Sequence, residues 1–252
     1  YTDTAAMTFV SMPVIGTQPQ SQVVSVTQGT ASMEFAFADP LPDGYTISYQ
    51  WQYYFDQYEL NEHWEDIGSN NIYTCSDQRI EFNLNNHKFT GKYRCKISFT
   101  DSDGVTVDVY TNEATLEVVT MPIIKNITWS SSYVTAGDHL VITATRDNTL
   151  YNYRFTGYKW QICKDGVNWV EPDDSFTTSY DGITTFRMAF GTTKEMDAWK
   201  VRFLLINEYG GVTNTAISRE LTLNILSDEC ANEYELRQAV VYSFRPGSLP
   251  GM

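Results

Sequence analysis

The residues able to do chemistry in this 252-residue chain are few and scattered. His63, His87 and His139 lie far apart in sequence and fall in different expected elements, so they form no catalytic cluster. Cys75, Cys95, Cys163 and Cys230 make no C-x-x-C pair, and no histidine stands at zinc-ligand spacing, which argues against a metal site. Four cysteines in this length are too few for a disulfide scaffold and leave the redox compartment open. Asp101-Ser102-Asp103-Gly104 has the start of a calcium loop but lacks its third acid and distal glutamate, and reads better as a hairpin turn. Glu65-Asp66 and Asp173-Asp174 are expected in solvated loops. A glycosidase pair of carboxylates would assemble only in space and leaves no mark in sequence. There is no Gly-x-Ser-x-Gly, no Gly-x-Gly-x-x-Gly and no P-loop. The expectation is a non-enzymatic protein without cofactor or metal. Asn126-Ile127-Thr128 fits the glycosylation pattern, which matters only in a glycosylating host.

The aromatic residues offer more. Tyr53, Tyr54, Phe55 and Tyr58 crowd one segment beside Asp56 and Glu59, and Tyr151, Tyr153 and Phe155 form a similar group. In a strand, alternation buries only half of such a run, which leaves one or two rings exposed. The first cluster reads either as a binding patch for glycan or protein or as cover for a junction between domains.

These side chains must be positioned by strands. Helical spacing is scarce, whereas period-two alternation recurs in Ser32–Phe37, Ile47–Tyr53, Ile80–Leu84 and Lys92–Phe99. In the second of these Gln50 and Gln52 face water, and in the last the cations take one side and Tyr, Cys, Ile and Phe the other. Asp101-Ser102-Asp103-Gly104, Lys164-Asp165-Gly166 and Tyr209-Gly210-Gly211 supply turns. Short strands so punctuated read as β-sandwiches. A net charge of −14 argues against nucleic acid or an anionic membrane as main partner. Apolar runs such as Phe203–Ile206 are far shorter than the roughly 20 residues of a membrane span.

The pattern repeats. Tyr49-Gln50-Trp51-Gln52 returns as Tyr158-Lys159-Trp160-Gln161, 109 residues on, as does Pro13-Val14-Ile15 in Pro122-Ile123-Ile124. Further along, Trp64 matches Trp169, Cys95 matches Val201, and Thr111–Ala114 matches Thr213–Ala216. The expected organisation is a sandwich over 13–120 and a second over 121–226, joined by a short stiff linker at Thr120-Met121-Pro122. Tyr1–Ile15 lines up without gaps on Tyr110–Ile124. Residues 1–12 are therefore expected to be the last strand of a preceding domain with its linker, in a chain cut from a longer array. Residues 227–252 form a C-terminal tail in which Asp228 caps a short helix and Ala239–Phe244 is strand-like.

Taken in order, Pro13-Val14-Ile15, Thr27-Gln28-Gly29, Tyr49-Gln50-Trp51-Gln52, Trp64-Glu65-Asp66-Ile67, Tyr93-Arg94-Cys95 and Thr111–Leu116 resemble the bacterial immunoglobulin-like repeats. Such repeats occur in surface proteins of Gram-positive bacteria and in phage structural proteins. The resemblance implies an all-β fold of two tandem immunoglobulin-like β-sandwiches with a leftover N-terminal strand and a short C-terminal tail. It makes Trp51 and Trp160 core tryptophans and puts Tyr93 at a tyrosine corner, two residues before Cys95. Phe35 and Phe37 stand where the partner cysteine would be, and Trp199 and Val201 are read as replacing Tyr93 and Cys95 in the second repeat. Aromatic packing then holds both cores, at about 1.5–3 kcal/mol per large buried side chain.

Three functions fit. The first is a spacer and adhesion module of a secreted or surface-displayed bacterial protein, contacting a protein or glycan on a cell surface. The second is a virion component, capsid-decorating or tail-associated, whose partners are neighbouring subunits. The third is the carbohydrate-binding accessory part of a surface glycosidase. The corresponding location is extracellular or cell-surface, or the virion, without membrane insertion.

Overall fold

The computed structural model describes residues 12–55, 63–85, 89–131, 134–147 and 155–226. The chain divides into two compact units, with its main break between Thr120 and Met121. Tyr1–Val10, the tail from Ser227, Tyr58, His87, Tyr151, Tyr153 and Cys230 lie outside the described residues.

The first unit contains β1 (Ile15–Thr17), β2 (Gln22–Ser25), β3 (Thr30–Glu34), β4 (Ala36–Phe37), β5 (Thr46–Phe55) and β6 (His63–Asp66). It continues with β7 (Tyr73–Cys75), β8 (Arg79–Asn83), β9 (Gly91–Thr100), β10 (Thr106–Tyr110) and β11 (Ala114–Val119). One sheet is β3-β8-β7, with β1 on β4 beside it; the other is β2-β11-β9-β5-β6, with β10 also on β9. The alternation read over Ser32–Phe37 holds for burial, but the strand breaks at Phe35, whose N–H donates to the Gln78 carbonyl at 3.1 Å.

The second unit contains β12 (Ile124–Trp129), β13 (Val134–Thr135), β14 (His139–Arg146), β15 (Gly157–Cys163) and β16 (Trp169–Val170). After these come β17 (Thr177–Tyr180), β18 (Thr185–Gly191), β19 (Lys200–Tyr209), β20 (Val212–Ile217), β21 (Leu221–Thr222) and β22 (Ile225–Leu226). Its sheets are β12-β14-β18-β17 and β16-β15-β19-β20, with β21 on β19 and β13 on β22. Each unit breaks its first strand into two pieces with different partners. In the first, β1 pairs with β4 while β2 runs parallel to β11; in the second, β12 pairs with β14 while β13 runs parallel to β22.

Each sandwich closes over one apolar core. Trp51, Phe82, Phe89, Tyr93, Cys95 and Phe99 fill the first, and Trp160, Phe186, Met188, Phe203 and Leu205 the second. Cys75, Cys95 and Cys163 are free thiols. Tyr93 donates its hydroxyl to the Phe89 carbonyl at 2.8 Å, four residues upstream, in the manner of a tyrosine corner.

The strand register corrects the repeat alignment. Trp51 faces Cys95 across β5 and β9, whereas Trp160 faces Phe203 across β15 and β19. Ala114 opposite Tyr93 corresponds to Leu221 opposite Val201. Val201 therefore stands where Tyr93 does, Phe203 replaces Cys95, and Trp199 falls at the position of Gly91. The counterpart of Thr111–Ala114 is Ser218–Leu221 rather than Thr213–Ala216. The two Thr-Asn-x-Ala strings are alike in letters but sit at different points of the ladder.

Candidate functional site

The sheet β10-β9-β5-β6 of the first sandwich carries a row of linked aromatic and cationic side chains on its outer surface. Its origin is strict alternation. In β5, Trp51 and Tyr53 turn to the core, so Gln52 and Tyr54 turn out. In β9, Tyr93 and Cys95 are buried, so Lys92, Arg94 and Lys96 turn out. Register then places Gln52 opposite both Arg94 and Asp66, and Tyr54 opposite Trp64.

The contacts form a continuous chain. The Arg94 guanidinium lies 4.1 Å from the Trp64 ring centroid and 4.4 Å from that of Tyr110. Its Nε donates to Gln52 Oε1 at 2.8 Å, and Gln52 Nε2 donates to Asp66 Oδ1 at 2.7 Å. The Tyr54 and Trp64 rings are 5.2 Å apart, and Lys92 Nζ sits 5.4 Å from the Tyr54 centroid while paired with Glu113 at 3.3 Å. Gln52, expected to face water, is only 7% exposed because this layer covers it. Glu65 and Asp66, expected in a loop, belong to strand β6. A guanidinium held between two rings and oriented by an amide keeps its remaining N–H donors in fixed directions. Such a surface suits stacking on a flat group while donating hydrogen bonds to it.

The tyrosine run read from sequence divides between the two faces. Tyr53 packs inward with its ring 5.3 Å from Tyr93. Tyr54 joins the outer row, and Phe55 lies 5.5 Å from the His63 ring. Trp64, Arg94 and Tyr110 complete the outer row; the sequence marked them as repeat and motif positions, not as parts of one surface. The alternating cations of β9 were the available signal.

The matching face of the second sandwich keeps the centre of this row. Arg202 lies 4.0 Å from the Trp169 centroid and donates Nε to Gln161 Oε1 at 2.8 Å. Lys200 pairs with Glu220 at 2.9 Å, as Lys92 does with Glu113. By register, however, Cys163 stands in place of Tyr54, and Ile217 in place of Tyr110. Among the described residues the flanking rings belong to the first sandwich alone.

Reactive groups are muted by their surroundings. Burial pushes the Cys95 thiol up to about 12 and raises Cys75 as well, so neither is primed as a nucleophile. Burial likewise raises Tyr93. Asp165 and Asp181 are held well below the usual carboxylate range by turn N–H groups that donate to them. Asp101 Oδ1 accepts from the N–H groups of Asp103 and Val105 at 2.9 and 2.8 Å, closing the β9–β10 hairpin that the sequence suggested. Among the described residues no group of three or more His, Cys, Asp or Glu could hold a metal ion, and no helix is long and apolar enough to cross a membrane.

Neither a family model nor a curated protein matches the chain. Solved structures do. The eight N-terminal Ig domains of Down syndrome cell adhesion molecule, isoform 1.30.30, align with a TM-score of 0.55 at 12% identity, over 85% of this chain and 27% of that one. Both units have the immunoglobulin-like fold. Rst D1-D2 aligns at a TM-score of 0.48 and 12% identity over 86% of this chain and 100% of its own. A marsupial T cell receptor aligns at 0.48 and 10% identity over 85% and 73%.

Proposed function

We propose that the chain is a non-catalytic, tandem immunoglobulin-like module of a larger secreted or surface-displayed bacterial protein. In this reading it serves as spacer and binding unit, and its contact surface is the outer β10-β9-β5-β6 face of the first sandwich. The observation that carries it is Arg94 set between Trp64 and Tyr110, at 4.1 and 4.4 Å, on an otherwise strongly acidic chain. Aromatic rings and arginine are the groups that dominate binding energy at protein surfaces, and the same rings stack on sugars. The motif resemblance supports the bacterial surface setting, and the acidity suits an exposed module kept soluble by repulsion.

The test is binding of the full chain to a mucin-type glycan array and to immobilised extracellular-matrix proteins. It is repeated with Tyr54→Ala/Tyr110→Ala and with Arg94→Ala. At least a tenfold loss of affinity, with melting unchanged, is expected in the double variant. The same substitution at the matching position of the second sandwich, Ile217→Ala, leaves affinity unaltered. Binding that survives in the double variant would place the contact surface elsewhere.

A further inference from the structure

The outer face of the first sandwich is polar except for three rings. Besides Tyr54, Trp64 and Tyr110, its outward positions hold residues such as Thr46, Ser48 and Gln50 in β5 and Ser98 and Thr100 in β9, with no aliphatic side chain among those of β5, β6, β9 and β10. A protein partner is met by an apolar centre, whereas hydroxyl and amide groups beside a few rings suit a sugar. The carboxylates of this face are already engaged. Asp66 accepts from Gln52 at 2.7 Å, Asp108 accepts from the Ser98 hydroxyl at 2.6 Å, and Glu113 pairs with Lys92 at 3.3 Å. Its cations are not all so engaged. Gln52 takes the Arg94 Nε–H, but among the described residues neither Arg94 Nη group meets an acceptor. Lys96, two residues along the same face and about 7 Å away, has no carboxylate partner among them either. Tyr110 stands opposite Lys96, 44% exposed, with its ring against the Arg94 guanidinium. A guanidinium whose Nε is taken presents its two Nη groups as one edge, which matches the two oxygens of a carboxylate.

We propose that this face binds a sugar acid, the Arg94 Nη edge holding the carboxylate of a uronic or sialic acid residue while Lys96 and Tyr110 lie against its ring. The inference rests on the outer face being the contact surface and names its ligand class. Trp64, Tyr110 and Gln52 fix the guanidinium before any ligand arrives, so little side-chain freedom is lost on binding. The net charge of −14 does not bar an anion. Charges more than about 8 Å away are screened at physiological ionic strength, whereas a bidentate contact acts at hydrogen-bond distance. The second sandwich has the same centre without the two flanking groups. Arg202 keeps its tryptophan and glutamine, but by register Leu204 stands at the Lys96 position and Ile217 at that of Tyr110. It is therefore expected not to bind.

The test is titration of the full chain with the methyl glycosides of glucuronic acid and N-acetylneuraminic acid. NMR follows the Nε–H groups of Arg94 and Arg202 and the indole N–H groups of Trp64 and Trp169. At least one sugar acid is expected to give saturable shifts at Arg94 and Trp64, and none at Arg202 and Trp169. Methyl glucoside, which lacks the carboxylate, and acetate, which lacks the sugar, should bind at least tenfold more weakly. Arg94→Lys, which keeps the charge but loses the paired donors, should weaken binding at least tenfold, and Lys96→Leu at least threefold. Leu204→Lys/Ile217→Tyr should bring binding to the second sandwich, read at Trp169, a gain that no misfolded variant can mimic. The proposal is overturned if neither sugar acid shifts Arg94, if methyl glucoside or acetate binds as tightly, or if Arg202 responds equally in the unaltered chain. Tighter binding of glucose 6-sulfate would assign the cations to a sulfate and overturn it too, as would a folded Leu204→Lys/Ile217→Tyr variant that gains nothing. Loss of array or matrix binding in Tyr54→Ala/Tyr110→Ala, with no shift from either sugar acid, would strike this ligand class alone. Array binding that survives the double variant would strike the contact surface itself.

Discussion

The two sandwiches share one frame and fill it differently. Both place a tryptophan in the central strand, a Gln–Arg–Trp triplet on the outer face and a Lys–Glu pair beside it. Inside, bulk has moved across the same pair of strands. In the first sandwich Tyr53 presses on Gly91, where an added Cβ would collide with the Tyr53 ring. In the second, Ile162 stands at the Tyr53 position and Trp199 at the Gly91 position, with Lys164 Nζ 4.7 Å from the Trp199 ring centroid. The outer polar layer thus depends on strand register, which both units keep, while the core side chains and the flanking rings differ between them.

The largest test of this shared frame is truncation of the central tryptophans. Trp51 and Trp160 are 1% and 3% exposed, and alanine at either should cost about 3–5 kcal/mol. If the cores are independent, calorimetry will show one transition falling in each variant while the other holds. Transitions that fall together would show that the units unfold as one. A somewhat smaller effect tests the exchange of bulk. Gly91→Trp alone is expected to destabilise the first sandwich by about 2–3 kcal/mol through overpacking against Tyr53. Tyr53→Ile/Gly91→Trp, which copies the second sandwich, should recover at least half of that in denaturant titration. No recovery would mean that the two cores are not interchangeable solutions. Smaller again is Tyr93→Phe, which leaves the Phe89 carbonyl without its donor and should cost about 1–2 kcal/mol. The second sandwich has Val201 at this position and no such bond to lose.

What the sequence made legible follows from what each feature depends on. Alternation in Lys92–Phe99 and the repeated Tyr-x-Trp-Gln string are local, and both marked strands that the structure contains. The false match of Thr213–Ala216 to Thr111–Ala114 arose because composition repeats in such strands, while register is fixed by hydrogen bonds to β9 and β19 that no string of letters displays. The outer row was hidden for a related reason. Gln52, Trp64, Arg94 and Tyr110 come from four strands, and only register brings them together. The Tyr53–Tyr54 pair looked like one cluster in sequence because adjacency is visible there and pleating is not.

The smallest difference between the sandwiches is their response to acid. In the second, Asp181 Oδ1 accepts the N–H groups of Ile183, Thr184 and Thr185 at 2.8–2.9 Å, and Asp165 Oδ1 those of Val167 and Asn168 at 2.9 and 2.7 Å. These bonds favour the charged form, so both carboxyls are lowered in the folded state, as are Asp138, Asp173 and Glu195. A carboxyl lowered on folding contributes stability that is present above its unfolded value, about 4, and lost as pH falls toward the folded one. All five groups are exposed, so the effect per group is small. Between about pH 5 and pH 2 the melting temperature of the second sandwich should therefore fall more steeply than that of the first. Asp181→Asn, which keeps an acceptor oxygen but cannot titrate, should flatten that slope while leaving the hairpin amides of Ile183 to Thr185 protected. A first sandwich that melts earlier in acid would mean that turn carboxylates do not set the order in which the two units fail.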